Sequence, residues 1–188
     1  MGRWEPGARS RLEEAALDLY GERGFENTTV AEISARAGLT ERTFFRHYAD
    51  KREVLFAGAG ALQELLVDTV VNAPDAATPI DAVISALEAA GAVLQQRRAF
   101  ALRRQAVIAA NPELQERELI KLAALAAALA DALRRRRVED PTAGLAAEAG
   151  IAAFKIAFER WTDGTSRRDL PRLIRDSLEQ LRDVTRGA

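Results

Sequence analysis

The sequence predicts an all-α chain of about nine helices, and three observations carry that prediction. No segment alternates apolar and polar residues with β-branched enrichment, which is the sign of a half-buried strand. Apolar residues recur instead at helical spacing along the whole chain, and the prolines fall where one run stops and the next begins. At 188 residues the chain holds a small N-terminal domain and a larger one. Size scaling lets a chain of that length bury roughly 70% of its unfolded surface.

The elements follow in order. A first helix opens at Ser10-x-x-Glu13, spaced as a capping box. It turns Leu12, Ala16, Leu19 and Tyr20 inward and ends near Gly21 or Gly24. Thr29-x-x-Glu32 is a second capping box, and Val30, Ile33 and Ala37 behind it share one face. Gly38 stands where a helix ends in the left-handed region, Leu39 plugs the turn, and Thr40 caps a third helix running to Tyr48. Two capped helices joined by a short glycine turn make a helix-turn-helix, whose second helix lies in the DNA major groove.

On that third helix Phe44 and Tyr48 are four apart and share the inward side. Arg42 and Arg46, also four apart, point away from it; Thr43 lies near them, and Phe45 and His47 flank the outward face. A guanidinium can hold the O6 and N7 of guanine with two bonds. An arginine pair alone is more often an ordinary solvated face; the capped helices and the glycine turn decide for the groove.

Lys51 opens a fourth helix through Val54, Leu55, Leu62, Leu65 and Leu66, stopping before Pro74. A fifth runs from Pro79 to Gln96, and a sixth from Ala99 to Ala110, closed by Asn111-Pro112. The seventh runs from Pro112 to Arg137 and the eighth from Pro141 to Thr162, ending at Asp163-Gly164. The ninth, Asp169 to Thr185, sets Leu170, Ile174, Leu178 and Leu181 on one stripe. The domain boundary falls at residue 50: 1–50 is the helix-turn-helix domain and 51–188 the larger helical domain.

Charge is local rather than general. The chain carries a net −1, and residues 1–56 also come to −1, nine Lys or Arg against ten Asp or Glu. Residues 36–52 hold Arg36, Arg42, Arg46, Lys51 and Arg52 against Glu41 and Asp50, a net of +3. Specific docking on DNA needs such a patch, not a basic average. With no cysteine and one histidine (His47), a metal site built on those ligands is excluded, and no nucleophile–base arrangement suggests an enzyme. Gly58-x-Gly60 is no dinucleotide fingerprint, because no strand precedes it and position 63 is glutamine. The four arginines 134–137 read as a solvated helix C-terminus, and Lys155 as a lysine snorkelling to solvent. The N-terminus lacks a secretion signal, and the apolar stretch Leu119 to Leu133 is too short to span a bilayer, so a cytoplasmic protein off the membrane is expected.

Gly24-Phe25, Thr28-Thr29-Val30, Ile33, Ala37-Gly38, Thr43-Phe44-Phe45, His47-Tyr48 and Lys51 resemble the DNA-binding domain of the TetR family of bacterial transcriptional regulators, over about Ser10 to Phe56. The resemblance implies that Thr29 and Lys51 hold phosphates and that Thr40 to Tyr48 reads bases of a palindromic double-stranded operator. The expected DNA contacts are Thr29, Arg36, Thr40, Arg42, Thr43, Phe45, Arg46, His47 and Lys51. Two positions depart from the family pattern. Phe45 replaces a common tyrosine and loses its hydroxyl; Arg42 replaces a small residue and suggests an added contact.

The resemblance also implies a homodimer through helices eight and nine, which fits the need of one helix-turn-helix for a second half-site. Helices four to eight are then expected to enclose a small-molecule effector. Leu62, Phe100, Arg103, Phe154, Phe158 and Trp161 are the bulky or charged candidates, each of which also fits an ordinary core position. The sum is a ligand-responsive regulator, a repressor by expectation, with no cofactor. A ligand-independent regulator or activator of the same fold, and an all-α interaction module, are the alternatives.

Overall fold

A computed structural model describes residues 7–164 and 166–186. Among them lie nine α-helices and one 3-10 turn, and no strand. The helices are α1 (Ala8–Arg23), α2 (Val30–Arg36), α3 (Glu41–His47), α4 (Ala59–Val71), α5 (Pro79–Gln96), α6 (Arg98–Ala109), α7 (Pro112–Arg135), α8 (Thr142–Thr162) and α9 (Leu170–Arg186), with the 3-10 turn at Glu53–Phe56.

The chain divides into two compact units. One takes the residues up to Ala59 together with Phe100–Arg117; the other takes Gly60–Ala99 and the residues from Glu118 onward. The first is built around Leu12, Ala16, Leu19, Tyr20, Phe25, Ile33, Phe44 and Tyr48, joined by Val54, Leu55 and Phe56 and by Val107, Ile108 and Leu114. In the second, α5, α8 and α9 pack on one another. Close approach there depends on Gly150, where an added Cβ would stand 2.3 Å from Val83 Cγ1.

Several boundaries differ from the sequence reading, each for a physical reason. α1 starts at Ala8 with Gly7 as its uncapped N-cap, so Ser10 is no cap. The carboxylate of Glu13 is turned inward instead, accepting the Tyr48 hydroxyl at 3.2 Å and lying 3.4 Å from Arg9 Nε. The helix ends at Gly24, with φ +83°, and runs straight through Gly21.

The fourth helix does not open at Lys51. The carbonyls that would propagate it are taken elsewhere: Arg104 Nε donates to Leu55 O at 2.6 Å, and Arg9 donates to Ala57 O. A 3-10 turn results, and α4 begins only at Ala59. That break matters for the membrane question too. Glu53–Val71, not Leu119–Leu133, is the one stretch among the described residues with the length and composition to cross a bilayer. Its helical part is the 13 residues of α4, roughly 20 Å at 1.5 Å per residue, against about 30 Å of hydrocarbon.

Three of the four stripe residues of α9 are covered within the chain, and Leu181 is half-buried. Leu170, Leu173 and Ile174 are 0% exposed and Leu178 is 4%. α5 and α8 pack on α9 and cover most of that stripe. The arginine run that closes α7 behaves as a helix terminus. Arg134 pairs with Asp131 and Asp140, and Arg136 closes the end of α4 on the carbonyls of Val70, Ala73 and Pro74. Lys155 is exposed.

Candidate nucleic-acid interface

The α2–turn–α3 pair is fixed at each joint by a local hydrogen bond that its sequence dictates. At the start of α2 the Glu32 amide donates to Thr29 Oγ1 at 3.2 Å, and Glu32 Oε2 accepts the Thr29 amide at 2.9 Å. That amide, and then the Thr29 hydroxyl, hold the Glu32 carboxyl below its ordinary range. At the turn Gly38 takes φ +64°, and the Leu39 amide donates to Ser34 O at 2.8 Å. An L side chain at that φ is strained. α3 then opens on Thr40, whose Oγ1 accepts the Thr43 amide at 3.2 Å.

Tertiary contacts orient α3. Phe44 is 0% exposed and Tyr48 5%, so the side read as inward is inward. Burial, then the Glu13 carboxylate, push the Tyr48 hydroxyl up to about 12. The opposite side is open: Arg42, Phe45, Arg46 and His47 are all exposed. Thr40, Arg42, Thr43, Phe45 and Arg46 together line a shallow concavity of about 520 Å³. Phe45 leaves 55% of its surface in solvent, an unusual position for a phenylalanine, with its ring edge against Phe44.

The remaining candidates sit apart from that concavity. Thr29 is exposed at the α2 N-cap, where its hydroxyl donates to Glu32. Arg36 forms a two-bond pair with Glu22 at 3.0 and 2.8 Å. Lys51 directs its ammonium at the carbonyls of Phe25, Glu26 and Thr28.

Arg11 was not singled out by the sequence. From α1 its guanidinium donates to Ala37 O at 2.9 Å and Gly38 O at 3.0 Å, closing the C-terminus of α2 at the turn itself. Cations suit helix C-termini, but nothing in the spacing of Arg11 says which helix end it serves.

Of the expected effector residues, three come together. Phe154 and Phe158 stack at 5.7 Å on α8, and Phe158 lies 5.5 Å from Trp161. Trp161 is 0% exposed, and its Nε1 donates to Gln95 Oε1 at 2.9 Å. Leu62 is half-buried on α4. Phe100 packs on the core of the first unit, and Arg103 pairs with Glu14 and Asp18 of α1.

A pair of capped helices with a left-handed glycine turn and an open, arginine-bearing second helix is a DNA-binding helix-turn-helix. Residues 12–57 match the family profile described as bacterial regulatory proteins, tetR family, and residues 77–186 match the MftR C-terminal domain. The chain belongs to the TetR family of bacterial transcriptional regulators. It is 35% identical over 81 residues to the HTH-type transcriptional regulator TcmR of Streptomyces glaucescens, covering 43% of this chain and 36% of TcmR. The match thus spans about a third of that relative. Identity is 26% over 136 residues to the putative mycofactocin biosynthesis transcriptional regulator MftR of Mycobacterium tuberculosis, covering 72% of this chain and 69% of MftR. The fold is similar to that of SmeT in complex with triclosan, with TM-score 0.67, 22% identity, and 93% and 90% of the two chains covered. SmeT is described as the repressor of the Stenotrophomonas maltophilia multidrug efflux pump SmeDEF.

Proposed function

We propose that this chain is a cytoplasmic, sequence-specific DNA-binding regulator that docks α3 in the major groove of a palindromic operator. One observation carries the reading. The outward face of α3 presents Arg42 and Arg46 with no partner among the described residues, on a helix pair clamped at both caps and at the turn. Free guanidiniums on a rigid element suit base-edge recognition, where two bonds to guanine discriminate it from other bases. Thr40, Thr43, Phe45 and His47 complete the contact face. We assign DNA binding to the first unit, which takes in residues 51–59 and 100–117 beyond the boundary expected at residue 50, and effector binding and dimerisation to the second.

The protein acts as a homodimer, so that two recognition helices read two half-sites. α8 and α9 supply the contact. The large apolar side chains exposed on these helices among the described residues are Leu145 (67% exposed) and Ile156 (50%) on α8, with the exposed Ala152 between them, and Val184 (76%) on α9. A small-molecule effector sits in the second unit, among Leu62, Phe154 and Phe158, and shifts the spacing of the recognition helices. The triclosan complex of SmeT supports an effector of that kind, and the description of SmeT as a repressor supports the same sign here. No catalytic step is assigned.

Selection of bound sequences from a random DNA pool tests the whole reading, and a two-fold palindrome is the expected product. Arg46→Ala should then cost roughly 1–3 kcal/mol on the selected operator and relax discrimination at one position per half-site. A uniform loss over all operators varied one base pair at a time would make Arg46 a phosphate contact. No loss at all would mean that α3 does not face the bases.

A further inference from the structure

We propose that Phe45 is a specificity-determining residue whose ring reads the C5 methyl group of one thymine in each operator half-site. Among the described residues it is the one large apolar side chain of the first unit left exposed, at 55%; the others lie in the second unit. It stands on the outward side of α3, in the same shallow concavity as Thr40, Arg42, Thr43 and Arg46. The ring is also held. It meets the fully buried Phe44 ring at 5.5 Å between centres, with the planes 80° apart. An edge-to-face pair of that kind is a preferred geometry for two aromatic rings, so Phe45 is presented in a set direction.

The chemistry of the major groove leaves one partner for such a ring. Base-pair edges there carry hydrogen-bond donors and acceptors, and the apolar group among them is the C5 methyl of thymine. Phenylalanine has no hydroxyl, so it offers no hydrogen bond to a phosphate. Over guanine, adenine or cytosine the ring would shut polar atoms away from water without replacing their bonds, which costs free energy. Over a thymine methyl it removes apolar surface of both partners from water. Arg42 stands three positions before Phe45, and residues three apart are neighbours on a helix surface, about 5–6 Å from each other. The methyl therefore lies within about two base steps of the base pair that Arg42 faces. One short stretch of α3 combines a polar reader with an apolar one.

The inference rests on the DNA-binding reading, and the experiment tells the two apart. Each thymine of the selected operator is replaced in turn by deoxyuridine, in one half-site at a time. That change removes the methyl and keeps every hydrogen-bonding atom. At one thymine per half-site the wild-type chain should lose about threefold to fivefold in affinity, the worth of one buried methyl group. 5-Bromodeoxyuridine at that position, whose bromine matches a methyl in size, should restore binding. Phe45→Ala should bind the thymine and deoxyuridine operators within about twofold of each other, since the side chain and the methyl form one coupled pair.

If no deoxyuridine substitution weakens wild-type binding, the ring does not meet a methyl and the proposal fails. It fails equally if Phe45→Ala keeps the full dependence on the methyl, because another side chain then reads it. Should that variant not fold, the wild-type protein decides by proximity. 5-Iododeoxyuridine at the sensitive position should crosslink to Phe45 under ultraviolet light, and a crosslink elsewhere, or none, overturns the proposal. A wild-type chain that selects no DNA would sink the DNA-binding reading and this inference with it. A selected operator indifferent to its thymine methyls would overturn this inference alone.

Discussion

The DNA-binding unit and the α5–α8–α9 layer hold their helices in place by different chemistry. In the first, cationic side chains reach across the chain to backbone carbonyls: Arg11 to Ala37 and Gly38, Lys51 to Phe25, Glu26 and Thr28, Arg104 to Leu55. In the second, helices approach until a hydrogen atom replaces a methyl group, as at Gly150 against Val83, and large side chains fill the rest. The two devices suit two tasks. α2 and α3 have seven residues each, too few to be stable alone or to bury much surface, so directional bonds to their free ends set their angle. α5, α8 and α9 have 18, 21 and 17 residues and can be held by apolar contact along their lengths.

Breaking the second device should give the largest effect. Trp161 is completely buried, carries the Arg98 guanidinium at 5.6 Å from its ring, and donates its indole N–H to Gln95. Trp161→Ala should destabilise by about 3–5 kcal/mol in denaturant unfolding, the usual cost of removing an aromatic from a core. Trp161→Phe should cost less, since Gln95 Oε1 still accepts the Leu170 amide. A loss below about 1 kcal/mol for the alanine variant would show that the indole borders open space instead of filling a core.

A smaller effect tests the close approach directly. In Gly150→Ala the new methyl meets Val83 Cγ1 at 2.3 Å and Leu87 Cδ1 at 3.2 Å. Valine is stiff at χ1 and cannot swing clear, so the substitution should cost about 1–3 kcal/mol as overpacking. Val83→Ala removes the obstructing methyl. The double variant should accordingly be more stable than the two single losses added together, by about 0.5–3 kcal/mol. Strict additivity would mean that α5 and α8 do not approach through this pair.

What could be read beforehand divides along the same line. Thr29 with Glu32, Gly38, and Thr40 with Thr43 are partners within five residues, and their hydrogen bonds follow from residue type and spacing. The inward Phe44 and Tyr48 and outward Arg42 and Arg46 follow from helical period alone. The carbonyl partners of Arg11 and Lys51 did not follow, because they lie 23 to 27 residues away. The late start of α4 has the same origin, a carbonyl captured by Arg104 from 49 residues along the chain. The α9 stripe was legible as an apolar face, but which neighbour covers it was a question of topology that periodicity does not address.

The smallest effect at neutral pH sharpens the comparison most, because the only two tyrosines of the chain, Tyr20 and Tyr48, both lie in the first unit. Each donates its hydroxyl to an oxygen that can only accept, Lys51 O and Glu13 Oε1, so ionisation removes the bond as well as placing charge in the core. Burial first, and then the nearby Asp50 carboxylate, raise the Tyr20 hydroxyl; burial and Glu13 raise Tyr48 to about 12. A folded value above the unfolded one of about 10 gives stability that is whole below pH 10 and is lost as pH rises through the folded value. Tyrosinate absorbance should therefore appear above pH 10 only together with loss of the near-ultraviolet tyrosine signal of the first unit. Tyr48→Phe should flatten part of that alkaline decline while leaving stability at pH 8 nearly unchanged apart from one lost hydrogen bond, about 1 kcal/mol. If both tyrosines instead ionise near pH 10 with the fold intact, their hydroxyls are in water and the directional bonds assigned to the first unit are not what holds it.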